Sequence, residues 1–377
     1  MFHCSNFKAI FLVLASLMFY TLPAYAEPLR VAGSACETWP DWNSFRGKFV
    51  SHDGRVLDHS IPQKVTTSEG QSYALMFALI ANDRPSFDLI LRWTENNLAN
   101  GDLTASLPAW QWGQRPDGSW GVIDNNAASD ADLWMAYVLN EAGQHWNIPR
   151  YIALAELLAA RILREETSNI PGLGLVLLPG PSGFHPDETT WRLNPSYMPI
   201  QIMRRFAVLH PGSEWDQLIQ SAIALILQSS PQGFVPDWAD YQADKGFILD
   251  DDPALNGIGF NAIRVYLWAG MLNKRDPVYP VLLKQLAPLG KYVTETGVAR
   301  KNASAGFSAA LLPILKSAGL NETLHQQRQR IVALAPMEGS DNYYDQVLTL
   351  FGKGWLEGLY SFGKNGQLIP GWKCENH

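Results

Sequence analysis

Apolar positions recur at helical spacing about eleven times along the chain, over 69–82, 86–98, 129–144, 149–165, 196–209, 213–229, 258–271, 277–288, 305–317, 321–333 and 340–352. The segments between them do not alternate as half-buried strands do. Stretches such as 107-LPAWQWGQRPDGSWG-121, 170-IPGLGLVLLPGPSGFHPDETTW-191 and 231-PQGFVPDWADYQADKGF-247 are rich in Gly, Pro, Trp and Asp and read as loops. Helix following helix, with no Gly/Ser linker or charge run between them, predicts one large all-α domain whose helices pair into a closed ring. Loops this long in a compact domain are usually functional, and their aromatic and acidic residues place them around a cleft.

Composition narrows the partners. The 377 residues are 47% hydrophobic, enough for a large core, and 29 basic against 36 acidic residues give a net charge of −7. With no basic run, the chain has no electrostatic footprint for nucleic acid or an anionic membrane. Residues 1–26 read as a secretory leader: Lys8, an apolar run over 9–22, then Ala24-Tyr25-Ala26 as a small-residue cleavage site. The run is shorter than the ~20 residues a spanning helix needs. The expectation is a single catalytic domain over 27–377, secreted or periplasmic after cleavage near Ala26. Of three cysteines, Cys4 leaves with the leader, and Cys36 and Cys374 remain either as one bridge in an oxidising compartment or as two thiols.

Two acid-bearing helix starts carry the candidate chemistry. In 66-TTSEGQSYALMFALI-80, Thr66-x-x-Glu69 fits a capping box, so Glu69 has a structural role to play. The Gly70 that follows it permits close approach of another group, and Gln71 and Tyr73 can bond hydroxyls. In 128-ASDADLWMAYVLNEAGQHW-146, Asp130 and Asp132 open a helix behind Ser129, where Ser129-x-x-Asp132 could again cap and a pair of acids is commonly solvated. If both helices belong to an inner ring, Glu69 and Asp130 converge on a cleft floored by carboxylates and roofed by Trp110, Trp112 and Trp120. Aromatic faces beside carboxylates suit a sugar chain, stacking on pyranose rings while the acids bind hydroxyls or protonate a glycosidic oxygen. No HExxH, CxxC, phosphate loop or GxSxG elbow is present, and the eight histidines are scattered, so neither a metal nor a cofactor is expected.

The stretches TTSEGQSYA, ASDADLWMA, FVPDW, AIRVYLW and YYDQVLTLFG, in that order, resemble glycoside hydrolase family 8, and most of all its secreted endoglucanases that accompany bacterial cellulose synthases. The resemblance runs from about Cys36 to Cys374. It implies an (α/α)6 barrel of six inner and six outer helices, and endo-cleavage of β-1,4-glucan with inversion, in support of cellulose synthesis, with the cellulose synthase machinery as a candidate partner. By resemblance Glu69 is the general acid, Asp130 an active-site residue that holds the sugar at the cleavage point, and Tyr197, Trp238 and Arg264 line the cleft with Trp110 and Trp112. Val138 and Asn140 depart from the family signature deeper in that helix, where packing is affected more than chemistry.

The larger departure lies in 257-GIGFNAIRVYLW-268. Relatives typically read Ser-Tyr-Asp-Ala-Ile-Arg there, the aspartate being the general base; this chain has Phe260 and Asn261. An amide does not accept a proton from water at neutral pH, and loss of a general base costs about 10² to 10⁴-fold in rate. Three explanations stand at this level: another acid serves (Asp237, Asp240 or the run at 250–252), the protein binds glucan with a relic site, or the aspartate was deliberately replaced. The run at 250–252 reads by itself as a solvated loop. A polysaccharide lyase is the remaining rival, since other helical toroids carry that chemistry.

Overall fold

A computed structural model describes residues 39–59, 63–249, 258–294, 297–298, 304–334 and 342–372. The leader, Cys36, Cys374 and the aspartates at 250–252 lie outside the described residues.

Twelve α-helices form among the described residues. In chain order they are α1 (Pro40–Phe49), α2 (Ser68–Ile80), α3 (Arg84–Leu98), α4 (Ser129–Trp146), α5 (Pro149–Glu165), α6 (Ile200–Leu209), α7 (Trp215–Ser229), α8 (Ala262–Met271), α9 (Tyr279–Leu286), α10 (Ala305–Ser317), α11 (Asn321–Leu334) and α12 (Tyr343–Leu356). Even-numbered helices pack on one another in sequence, α2 on α4, α4 on α6, α6 on α8, α8 on α10 and α10 on α12. Phe351 of α12 then meets Tyr73 and Phe77 of α2 edge to face, at 5.1 and 4.7 Å between ring centroids, which closes the ring. The odd-numbered helices form an outer layer, so the architecture is the (α/α)6 barrel.

Burial separates the two layers as the sequence pattern requires. Helix α8 is buried at every position from Ala262 to Met271, and α2 at every position but Glu69, because an inner helix has neighbours all round. Outer helix α5 buries one stripe, Tyr151, Leu154, Ala155, Leu158, Ala159 and Ile162. At the centre of the ring Tyr73, Trp134, Trp268 and Phe351 interlock, with Trp134 and Trp268 5.0 Å apart. No described helix is long and apolar enough to cross a membrane.

Eleven helices fall where the periodicity places them. Helix α1 is not among them, although Pro40 at its first turn and Trp42, Phe45 and Phe49 on one face are its signals. The starts of α6 and α8 come later than expected: Pro195–Tyr197 forms a separate 3-10 turn, and α8 begins at Ala262. The long loops also hold more order than their composition indicates. Strands β1 (Thr66–Thr67), β2 (Gln111–Gln114) and β3 (Trp120–Asp124) make one antiparallel sheet, β4 (Thr167–Ile170) and β5 (Gly174–Leu177) a hairpin, and β6 (Thr190–Leu193), β7 (Ala239–Gln242) and β8 (Gly246–Phe247) a second sheet. Pairing across these small sheets satisfies backbone groups that an irregular loop at the barrel mouth would leave exposed.

Candidate active site

Three inner helices, α2, α4 and α8, begin at the same end of the barrel, and each contributes one charged side chain from its first turn. Arg264 of α8 is the hub. Its Nη1 donates to Asp130 Oδ2 at 2.8 Å, to Tyr73 Oη at 2.9 Å and to Glu69 Oε2, and its Nη2 donates to Asn261 Oδ1 at 2.7 Å. Its side chain and that of Asp130 are each 3% exposed, whereas Glu69 keeps 23% of its side chain open. A buried guanidinium between two carboxyl groups shares its one positive charge with both and fixes their spacing through its rigid fork. The aromatic ring of Tyr197 lies 5.6 Å from the guanidinium carbon.

Burial pushes the Glu69 carboxyl up to about 7; Arg264 opposes the shift and neighbouring Asp130 adds to it. A carboxyl titrating there is half protonated at neutral pH, as a proton donor needs to be. The neighbouring phenols of Tyr73, Tyr197 and Tyr344 are also pushed up by burial and remain protonated donors.

Neither capping box expected from the sequence forms. Helix α2 starts one residue later than Thr66-x-x-Glu69 requires: Thr67 is its N-cap, its Oγ1 accepting from Gly70 N at 3.0 Å. Thr66 is paired in β1, and its hydroxyl donates to Val56 O at 2.6 Å. Glu69 is thereby released from capping and turned to Arg264. At α4, Ala128 occupies the N-cap, Ser129 Oγ donates to Leu178 O at 2.6 Å, and Asp132 is fully buried rather than solvated. Gly70 admits a neighbour, as its position implied, and that neighbour is the chain itself. A Cβ there would lie 2.7 Å from Tyr343 Oη.

The departure at Asn261 has a definite geometry. Because Arg264 occupies the amide oxygen, the face of Asn261 turned away from Arg264 is an NH2 donor. Beside it, Asp237 Oδ1 accepts from the backbone amides of Asn261 at 2.9 Å and Ala262 at 2.7 Å, capping α8 from another part of the chain. Gly259 is required by this cap, since a Cβ there would lie 1.8 Å from Asp237 Oδ2. Asp240 instead faces Arg192 across the β6–β7 ladder, at 3.6 Å. Of the two described candidates for a substitute base, only Asp237 is held at the start of α8. Phe260, 63% exposed, packs edge-on to Phe307 and Tyr344, and Tyr344 Oη donates to its carbonyl at 2.6 Å.

The aromatic residues fall into two groups. Trp112 of β2 pairs with Thr66 of β1, which leads directly into the turn carrying Glu69, and Trp110 O accepts from Ser68 N at 3.0 Å. Trp112 and Trp120 stack 5.6 Å apart, with the Arg55 guanidinium 4.4 and 5.1 Å from their rings. Just before β7, Trp238 lies 6.5 Å from Tyr197 and parallel to Phe184 at 5.9 Å. Trp238 thus connects through Tyr197 to Arg264. Sequence reasoning missed Phe184 and Tyr344 as members of this surround; no spacing rule marks them, because each reaches the site from a different loop or helix.

Comparison with known proteins agrees with this fold. The profile of Glycosyl hydrolases family 8 matches residues 18–358. An endoglucanase of Salmonella typhi is 44% identical over 355 residues, covering 91% of this chain and 94% of that protein. Among solved structures, the endo-1,4-D-glucanase of Vibrio fischeri ES114 is 45% identical and superposes with a TM-score of 0.83, over 88% of this chain and 99% of that one. The endoglucanase Cel10 of Klebsiella pneumoniae is 26% identical with a TM-score of 0.66, over 84% and 97%.

Proposed function

Since the chain belongs to glycosyl hydrolases family 8, we propose that it is an endo-β-1,4-glucanase in which Glu69 protonates the glycosidic oxygen and hydrolysis proceeds with inversion. The observation that carries this reading is the buried Arg264, which joins Glu69, Asp130 and Asn261 at one barrel mouth while burial holds Glu69 near neutral. Cleavage transfers the Glu69 proton to the leaving oxygen; water attacks the anomeric carbon from the opposite face and gives its own proton to a base. Asp130 anchors the sugar ring at the cleavage point, and Trp110, Trp112, Tyr197 and Trp238 supply stacking surfaces along the glucan.

Asn261 occupies the position of the base and presents a donor to that water. We assign the proton-accepting role to Asp237, whose Oδ1 is engaged by two amides at the same helix start and whose Oδ2 remains to accept. Hydrolysis by this route is slower than with a carboxylate at position 261. The second reading, favoured by the same Asn261, is a glucan-binding protein whose hydrolytic site is a relic.

Reducing-end release from carboxymethylcellulose separates them when the chain is compared with its Glu69→Gln and Asp237→Asn variants. The Asp237→Asn change keeps an oxygen for the α8 cap but removes the base. Activity that both substitutions abolish supports the hydrolase with Asp237 as base; equal background from all three, with cello-oligosaccharides still bound, establishes the binder. The anomeric configuration of the first product, read by NMR, tests inversion. We further place the protein outside the cytoplasm, as a domain over 27–377 released from a leader near Ala26, trimming or freeing glucan chains beside a cellulose synthase; detection of the mature N-terminus in the periplasm or medium tests that placement.

A further inference from the structure

Behind Asp130 lie two carboxyl groups that the hydrolytic scheme does not use. Asp132 of α4 and Glu166, the residue just after α5, have no exposed surface, and none of their four side-chain oxygens meets a donor among the described residues. They lie within hydrogen-bonding reach of each other. A strap following β5 seals them in: Leu178 N donates to Glu166 O at 2.7 Å, Ser129 Oγ to Leu178 O at 2.6 Å and Ser129 N to Pro179 O at 3.0 Å, tying the end of α5 to the start of α4.

Among the described residues, no positive charge faces the pair. The charged groups that do are Asp130 from α4 and Glu165 from α5, both acidic. The nearby guanidinium groups of Arg161 and Arg164 turn outward to Glu165, and Arg161 also bonds Thr104 O. On α2, Glu69 is joined through Arg264 to Asp130. Two ionised carboxylates in contact, dry and without donors, would carry an unpaired charge on each, which proteins avoid by retaining a proton. One proton between them makes an O–H···O⁻ bond and satisfies an oxygen on each side.

We propose that Asp132 and Glu166 share a single proton at neutral pH, which makes the packing of α4 against α5 behind the cleft a pH-sensitive element of the fold. Burial raises the proton affinity of both groups well above the ordinary carboxyl range, in the same direction. The folded pair binds a proton that the unfolded carboxyls release above about pH 4, so the folding equilibrium falls about tenfold per pH unit from there until the folded pair ionises.

The test is equilibrium unfolding across pH for the chain and for its Asp132→Asn/Glu166→Gln double variant, in which one amide donates to the other and nothing titrates. The expected result is a wild-type slope steeper by about one proton, with the double variant relatively more stable at the alkaline end. Superimposable pH profiles for stability overturn the proposal. Should the double variant not fold, infrared difference spectra of the Glu69→Gln protein decide: a buried carboxylic-acid carbonyl band at pH 8 supports the shared proton, and its absence refutes it. None of these readouts requires hydrolysis.

Discussion

Arg264 Nη2 donates to the side-chain oxygen of Asn261 at 2.7 Å, so the residue in the base position is locked with its acceptor facing the arginine. The same arginine holds Glu69 and Asp130 through its other nitrogen. Asn261→Asp would give Arg264 a third carboxylate and restore a proton acceptor. With Asp237 serving as base, the expected effect is a gain in kcat on cello-oligosaccharides that stays below about 10²-fold, the lower end of the usual weight of a general base. A gain over the whole range of about 10² to 10⁴-fold would mean that no other group performs the step in the chain as it stands.

The pH dependence should bear the mark of Glu69. With its carboxyl at about 7, the protonated donor is present below neutrality and is lost as pH rises through that value. The kcat profile is therefore expected to fall on its alkaline side with a midpoint near 7. In Glu69→Gln the rate should drop at least about a hundredfold and that limb should disappear. An unchanged alkaline midpoint in residual activity would assign it to another group.

Removing the hub should cost stability as well as activity. Arg264→Met leaves Asp130 buried and Glu69 mostly buried without their cation, and loss of one partner from a buried ion pair costs about 3 to 5 kcal/mol. Without Arg264, which opposes the upward shift of Glu69, that carboxyl binds its proton still more tightly in the folded chain, so the deficit should shrink as pH falls. Urea unfolding at neutral and mildly acidic pH measures both parts; a deficit independent of pH would point to lost packing alone.

A steric contact behind the acid offers a separate check. A methyl group at position 70 would meet the Tyr343 hydroxyl at 2.7 Å, and that hydroxyl is buried without a hydrogen-bond partner among the described residues. Gly70→Ala is expected to destabilise by about 1 to 3 kcal/mol, the range of overpacking. Adding Tyr343→Phe should return most of the loss, giving a coupling of about 1 kcal/mol or more in a double-mutant cycle. Additivity of the two changes would show that the crowding is relieved elsewhere.

The two sheets at the barrel mouth show where sequence reading falls short. Trp112 and Trp238 were legible as loop aromatics because tryptophan among Gly, Pro and Asp is an unusual surface commitment. Their partners Arg55, Phe184 and Tyr197 come from other segments, and only the tertiary fold brings them together. The cap on α8 is of the same kind. Asp237 lies 24 residues before Asn261, so local rules that look three residues ahead do not find it.

The sequence by itself determined the helical barrel, because a 3.6-residue period repeated along the chain leaves each helix an apolar surface that only neighbouring helices can cover. It also determined which residue types stand at the helix starts, including Glu69, Asp130 and the asparagine at 261. The tertiary structure decided what those residues do to one another. It turned Glu69 from a cap towards Arg264, buried Asp132 against Glu166, and set Asp237 beside Asn261. The reason is physical: periodicity is a property of neighbours in the chain, whereas charge compensation and loss of solvent depend on which distant side chains share the same few ångströms.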